Sequence, residues 1–372
     1  MKKALIIGGG FAGCTMAHQL DLQGGWDTTI VEAAPYLGAG VRTQWYGGHP
    51  YTFGPRHFLT KDPHLFEFLN KYIPLRRCEE LTYQSFVEAD QQFYNYPMHR
   101  DDVSVMPDRE KILHEVELAD NSAVGKNFEE HWIAKIGPTL YNKFMRKYTQ
   151  KMWCVNSNTE IDDPYLLRVG NKEGGLKSGP KAAFLDFYSA YPFAANGYDD
   201  YFEISTQNSR ILLSTKIENF DIDDKSVVIN GERYTYDIII NTISPDILYN
   251  YKYGELQYVG IDLQLIVLPV ESCFPETVAF LYYPNDEPYK RIVEYKRFTH
   301  HVAPTTLLGL EIVNKNRRHY PLPIKSEQEK AKKYLNEMPE GVFSIGRAGS
   351  YSYEVDIDDC IKQAMEVAEK LK

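Results

Sequence analysis

The chain of 372 residues lacks what would direct it to nucleic acid, to a membrane or to an oxidising compartment. Positive charge is in deficit: 41 Lys and Arg stand against 51 Asp and Glu, a formal net charge of −10. A nucleic-acid protein would present a basic face, so that class is excluded. An anionic small ligand is not, because a few well-placed arginines outweigh a distant acidic surface. Cysteine is scarce: Cys14, Cys78, Cys154, Cys273 and Cys360 are odd in number and form no CxxC pair. Neither a disulfide framework nor a thiolate metal site is expected, and no bound metal is. Long apolar runs are missing too. The opening MKKALIIGGG loses its apolar character after Ile7, too early for a signal peptide, and no stretch approaches a membrane span. A soluble, cytoplasmic protein is the expectation.

What is abundant is tyrosine, 28 residues against 18 Phe and 4 Trp. Each pairs an apolar ring with a polar tip, so the surplus suggests a surface where rings meet something polar, although ordinary strand and core positions account for most. The length corresponds to two or three domains.

Ala4–Ile7 is a short apolar run that breaks into Gly8-Gly9-Gly10 and Phe11-Ala12-Gly13 before a helical pattern begins. The β-branched run Thr28–Val31 follows and ends at Glu32. Strand, glycine turn, helix and strand make one βαβ unit. In Gly8-x-Gly10-x-x-Gly13 the first glycine permits the turn and the second lets backbone N–H groups reach a pyrophosphate. The third brings helix and strand close. The helix N-terminus favours the phosphates, and Glu32 accepts ribose hydroxyls. Phe11, Ala12 and Gly38 are assigned to the same cofactor surface. The N-terminal placement, and the late string VFSIGRAGSYSYE before a helix, favour FAD over NAD.

Further along, Asp108 to about Trp153 reads as helical, and Val169–Lys181 as a mobile loop rich in glycine and lysine. Strands are expected at Ser226–Asn230, Ile238–Asn241 and Ile261–Val270, and a last helix at Ile357–Leu371. Tyr351 and Tyr353 would share one strand face. The fold class is α/β: a Rossmann-like FAD-binding domain with an inserted helical domain and an antiparallel β-sheet domain. The expected division is 1–75, 203–245 and 335–372 for the flavin domain, 100–170 for the helices, and 76–99 with 250–325 for the sheet.

Four separated strings now carry a family resemblance. KYTQKMW (Lys147–Trp153) is similar to a Tyr-Thr-x-Lys-x-Trp string, and YKRIVEYKRF (Tyr289–Phe298) to Tyr-x-Arg-Ile-x-Glu-x-Lys. PDILYNYKYGELQY (Pro245–Tyr258) matches a Phe/Tyr-Gly-x-Leu-x-Tyr segment, and FSIGRAGSYSY (Phe343–Tyr353) a Gly-Arg-x3-Tyr-x-Tyr ending. In this order they resemble the UDP-galactopyranose mutases. The resemblance implies an FAD enzyme, active when reduced, that interconverts pyranose and furanose forms of a UDP-sugar through a flavin N5–sugar adduct. It implies Arg168 and Arg291 on the diphosphate, the first arriving on a closing loop. Phe144 and Tyr148, four apart on a helix, would receive the uracil. Asn95 would lie near the nucleotide, and Trp153, Arg347 and Tyr353 near sugar and flavin. It also implies a homodimer whose product feeds capsule or lipopolysaccharide synthesis.

Departures matter as well. Gly54-Pro55-Arg56-His57-Phe58-Leu59-Thr60 stands where the family shows Gly-Ala-His-Ile-Phe-His-Thr, so Arg56 occupies the histidine's place unless His57 takes it after a one-residue shift. A long donor there suits a 2-acetamido carbonyl, pointing to UDP-N-acetylgalactosamine beside or instead of UDP-galactose. The segment after Arg168 lacks the usual Ile-Pro-Val-Arg, and Glu354-Val355-Asp356 displaces an acidic residue by one place. Two other readings stay open: another FAD-dependent oxidoreductase, amine oxidase-like, and a non-catalytic nucleotide-binding protein.

Overall fold

Ala4, Leu5, Ile6 and Ile7 are all buried because the strand Lys2–Ile7 is covered on both faces. Such a strand must be apolar throughout rather than alternating. It is the middle of a parallel sheet in the order Arg210–Leu212, Trp26–Val31, Lys2–Ile7, Ile238–Asn241, Val342–Ser344. Ala4 and Ile6 face the helices Phe11–Gln23 and Ile357–Lys370, whereas Leu5 and Ile7 face a three-stranded antiparallel sheet through Val227 and Ile229. The computed structural model describes residues 1–120, 122, 125–162 and 176–372.

A second, seven-stranded sheet runs Tyr320–Pro321, Tyr258–Leu268, Thr306–Asn314, Tyr289–Glu294, Val278–Tyr282, Thr82–Val87, Gln92–Tyr96. It is antiparallel except at one join, where Val278–Tyr282 runs parallel to Thr82–Val87. There two meanders from distant parts of the chain meet.

The helical stretch expected from Asp108 to Trp153 is broken into Arg109–Glu117, Phe128–Phe144 and Arg146–Trp153. Asn127 restarts it as an N-cap, accepting from the Glu130 N–H. At Gly137-Pro138 the glycine is left-handed, φ 78°, and proline offers no N–H. Glu115 closes the gap by accepting from the backbone and hydroxyl of Thr139, both at 2.8 Å.

One other expectation is corrected. Tyr351 and Tyr353 share no strand: Gly346–Gly349 is a helical turn, and Tyr351, fully buried at φ 46°, donates to the Gln257 carbonyl at 2.5 Å. The helix Asp199–Thr206 buries Tyr201 and Phe202 against Phe11, and Tyr198, just before it, packs on the same ring.

Candidate active site

A cavity of about 680 Å³ opens between the N-terminus of helix Phe11–Gln23 and the turn Gly346–Gly349. The three glycines divide the work there. Gly8 sits at φ 99°, and a Cβ on it would meet Thr242 Oγ1 at 2.3 Å; one on Gly13 would meet the Gly8 carbonyl at 2.1 Å. Both are needed by the chain itself. Gly10 lines the cavity with Phe11 and Ala12, and a Cβ there would find its nearest neighbour, Ala39 Cβ, only at 3.6 Å. The space beside it is open for a pyrophosphate at a helix N-terminus. Glu32 is fixed at the strand end by the N–H groups of Gly9 at 2.6 Å and Ala34 at 2.7 Å. Gly38 serves the turn: its φ is 96°, its N–H donates to the Gly9 carbonyl at 2.8 Å, and its neighbours Ala39 and Gly40 line the cavity. This donor set fits a flavin dinucleotide.

Arg347 lines the far end. Its Nε donates to the Val355 carbonyl at 2.8 Å, Asp356 lies 3.6 Å from Nη2, and its guanidinium stands 5.6 Å from the Tyr320 ring. Arg56 lines the same cavity and donates from Nε to the Phe53 carbonyl at 3.1 Å. His57 packs against Phe184 and Phe298 and does not line it.

Across Tyr320 and Tyr353 lies a smaller chamber of about 210 Å³, walled by Phe144, Tyr148, Trp153, Tyr96, Tyr282 and these two rings. Phe144 and Tyr148 are on different helices, since Met145 at φ −121° interrupts the run, yet both face the chamber. Trp153 meets Tyr353 edge-on at 4.9 Å. Arg291 enters from the sheet, its Nη2 gripping Glu311 at 2.7 and 2.8 Å, while its buried Nε has no partner among the described residues. Burial works against the Glu311 charge, but Arg291 and Lys290 outweigh it and hold the carboxyl down at about 2. Asn95 is absent from the chamber wall; its amide is bound to Asp102 at 2.9 and 3.0 Å, and the next residue, Tyr96, takes the position. Arg168 lies outside the described residues.

Sequence reasoning missed Lys290, Glu311, Tyr320 and Tyr282. Glu311 alone left a visible trace, a single carboxylate inside the apolar strand Thr306–Asn314. The motif lysines prove structural. Lys151 donates to the carbonyls of Tyr283 at 3.0 Å, Glu287 at 2.6 Å and Tyr289 at 3.0 Å, pinning helix to sheet. Lys296 likewise serves the carbonyls of Glu271, Ala303 and Thr305. Replacing Lys151 with Met leaves three carbonyls without their donor and is expected to cost about 3 kcal/mol, read as a lowered denaturation midpoint. An unchanged midpoint would refute this role.

Two histidines flank the cavities in neutral form. Burial pushes His57 down to about 4; burial and Arg56 do the same to His319. The unfolded chain protonates near the ordinary 6.5, so acidification from there towards 4 favours unfolding. Below about 4.5, Glu311 adds to the loss until about 2. Melting temperature is therefore expected to fall with pH across this range, and less steeply in His57→Phe between 6.5 and 4. Parallel curves would remove His57 from the account.

The fold and the paired cavities define a flavin-binding α/β protein with a second, aromatic chamber that holds Arg291. Residues 143–353, more than half of the chain, match the family model described as UDP-galactopyranose mutase, and residues 6–72 match an NAD(P)-binding Rossmann-like domain. The chain belongs to the UDP-galactopyranose mutase family, whose members are flavin-dependent isomerases. It is 25% identical to a dTDP-fucopyranose mutase of Escherichia coli, over 99% of this chain and 98% of that protein. It is also 25% identical to a probable UDP-galactopyranose mutase of Klebsiella pneumoniae, over 99% and 94%. A crystal structure of reduced UDP-galactopyranose mutase superposes with a TM-score of 0.80 at 18% identity, covering all of this chain and 94% of the other. An oxidoreductase from Methanosarcina mazei reaches 0.63 at 16%, over 99% and 100%. The fold is thus shared with redox enzymes, and the family rests on the sequence match.

Proposed function

We propose that this enzyme interconverts the pyranose and furanose forms of UDP-galactose and UDP-N-acetylgalactosamine. The observation that carries the reading is Arg291: a buried guanidinium whose Nε has no partner among the described residues, in an aromatic chamber whose Tyr320 and Tyr353 rings stand 5.6 and 6.0 Å from the Arg347 guanidinium of the flavin cavity. A guanidinium offers phosphate oxygens a planar donor set. Phe144 and Tyr148 offer the base a stacking wall, and the resemblance assigns the diphosphate a second arginine, Arg168. When bound and reduced, the flavin supplies at N5 a nucleophile for the anomeric carbon, which lets the ring open and close again on the 4-hydroxyl. The chain's own residues fix the diphosphate while it leaves and returns, hold the sugar between the two cavities, and exclude water by a ring of tyrosines. Arg56, the long donor in the flavin cavity, is assigned to the acetamido carbonyl. The homodimer and the polysaccharide use of the product rest on the resemblance, and the cytoplasmic setting on the scarce, unpaired cysteines.

Reduced enzyme incubated separately with UDP-galactose, UDP-N-acetylgalactosamine and a dTDP-6-deoxyhexose tests the reading. A furanose peak is expected from the first two; turnover of the dTDP-sugar alone would transfer the activity to the other nucleotide. Arg56→His is expected to lower the acetamido-to-galactose rate ratio, and an unchanged ratio would remove Arg56 from sugar selection.

A further inference from the structure

In a regular strand Lys290 and Arg291 would point to opposite faces. Here the register slips between Tyr289 and Arg291, and both side chains line the same chamber. Lys290 is only 3% exposed. Its ammonium lies 3.2 Å from Glu311 Oε2 and 3.2 Å from Met152 Sδ, over the Tyr320 ring at 5.5 Å. A thioether is a weak acceptor, so Glu311 is the charged partner of this ammonium among the described residues.

Charge makes the residue consequential. Glu311 is fully buried and sits directly against Arg291, so the two alone would cancel. Lys290 restores one net positive charge to the chamber. We infer that Lys290 is a specificity-determining residue for the diphosphate: it neutralises Glu311 and so frees Arg291 for the ligand. The inference rests on the sugar-nucleotide reading above. Without it the strand would present a paired arginine, competent to orient a neutral base but weak towards an anion.

Titration calorimetry with flavin-loaded full chain, using UDP and uridine as probes, tests it. Lys290→Met is expected to weaken UDP binding about 10- to 100-fold while leaving uridine unchanged. Adding Glu311→Gln to Lys290→Met removes the uncancelled carboxylate and is expected to recover UDP affinity to within about threefold of the wild type. Lys290→Arg is expected to preserve affinity. Equal losses for uridine and UDP would mark a merely structural residue, and failure of the double variant to recover would refute the neutralisation. Should Lys290→Met not retain flavin, Lys290→Gln carries the same comparison. If the wild type binds neither UDP nor dTDP, the sugar-nucleotide reading falls. If it binds UDP and the Lys290 variants bind equally well, this inference alone falls.

Discussion

Arg291→Met is expected to lower kcat/KM at least about 1000-fold, because the proposed diphosphate site then loses its preorganised guanidinium. The same change removes the principal partner of Glu311, held at 2.7 Å in full burial. Breaking such a pair from one side costs about 3–5 kcal/mol, so the variant is also expected to melt earlier. Lys290 stays in contact with Glu311, which places the stability loss at the lower end of that range. Arg291→Lys separates the two effects. It keeps a cation beside Glu311 and is expected to melt near the wild type, yet a point charge cannot reproduce the fork, so turnover stays low. Turnover in Arg291→Met within tenfold of the wild type would remove Arg291 from the reaction.

A second large effect is expected at Gly10. The residue has ordinary extended geometry, φ −73° and ψ −174°, and a Cβ would approach no protein atom closer than 3.6 Å. Gly10→Val should therefore fold. The added methyl groups fill the space beside the helix N-terminus, and FAD affinity is expected to fall about 100-fold or more, leaving a colourless protein with an intact circular dichroism spectrum. Gly13→Ala gives the contrast: its Cβ would press on the Gly8 carbonyl at 2.1 Å, so loss of folded protein is expected, not loss of cofactor alone. A yellow, fully loaded Gly10→Val protein would show that the pyrophosphate lies elsewhere.

These two sites differ in how far they can be read without coordinates. The glycine turn is local: Gly8, Gly10, Gly13 and Glu32 lie within one βαβ unit, and each residue's task follows from its spacing. The chamber is not. Arg291 and Tyr148 came from motif strings, but Glu311 reaches Arg291 only through the pairing of strands Tyr289–Glu294 and Thr306–Asn314. Lys290 joins them through a register slip that no spacing rule reveals. Spacing is equally silent at Asn95, whose amide is held by Asp102 while the next residue, Tyr96, lines the chamber. Phe144 and Tyr148 line one chamber although no continuous helical period joins them, since the helix is interrupted between them at Met145.

The parallel join between Val278–Tyr282 and Thr82–Val87 has a consequence for how the protein is made. Its strands carry Ser85 and Tyr282, both chamber residues, and the neighbouring hydroxyls of Thr82 and Thr277 meet across 195 positions of sequence. Closing a loop of that size precedes any reward from the contacts it brings together. During synthesis the helices after Asp108 can form early, but the wall they face does not exist until the strand around Arg291 has left the ribosome. A chain stalled before that point would expose Phe144, Tyr148 and Trp153 to solvent, an apolar surface of the kind chaperones recognise.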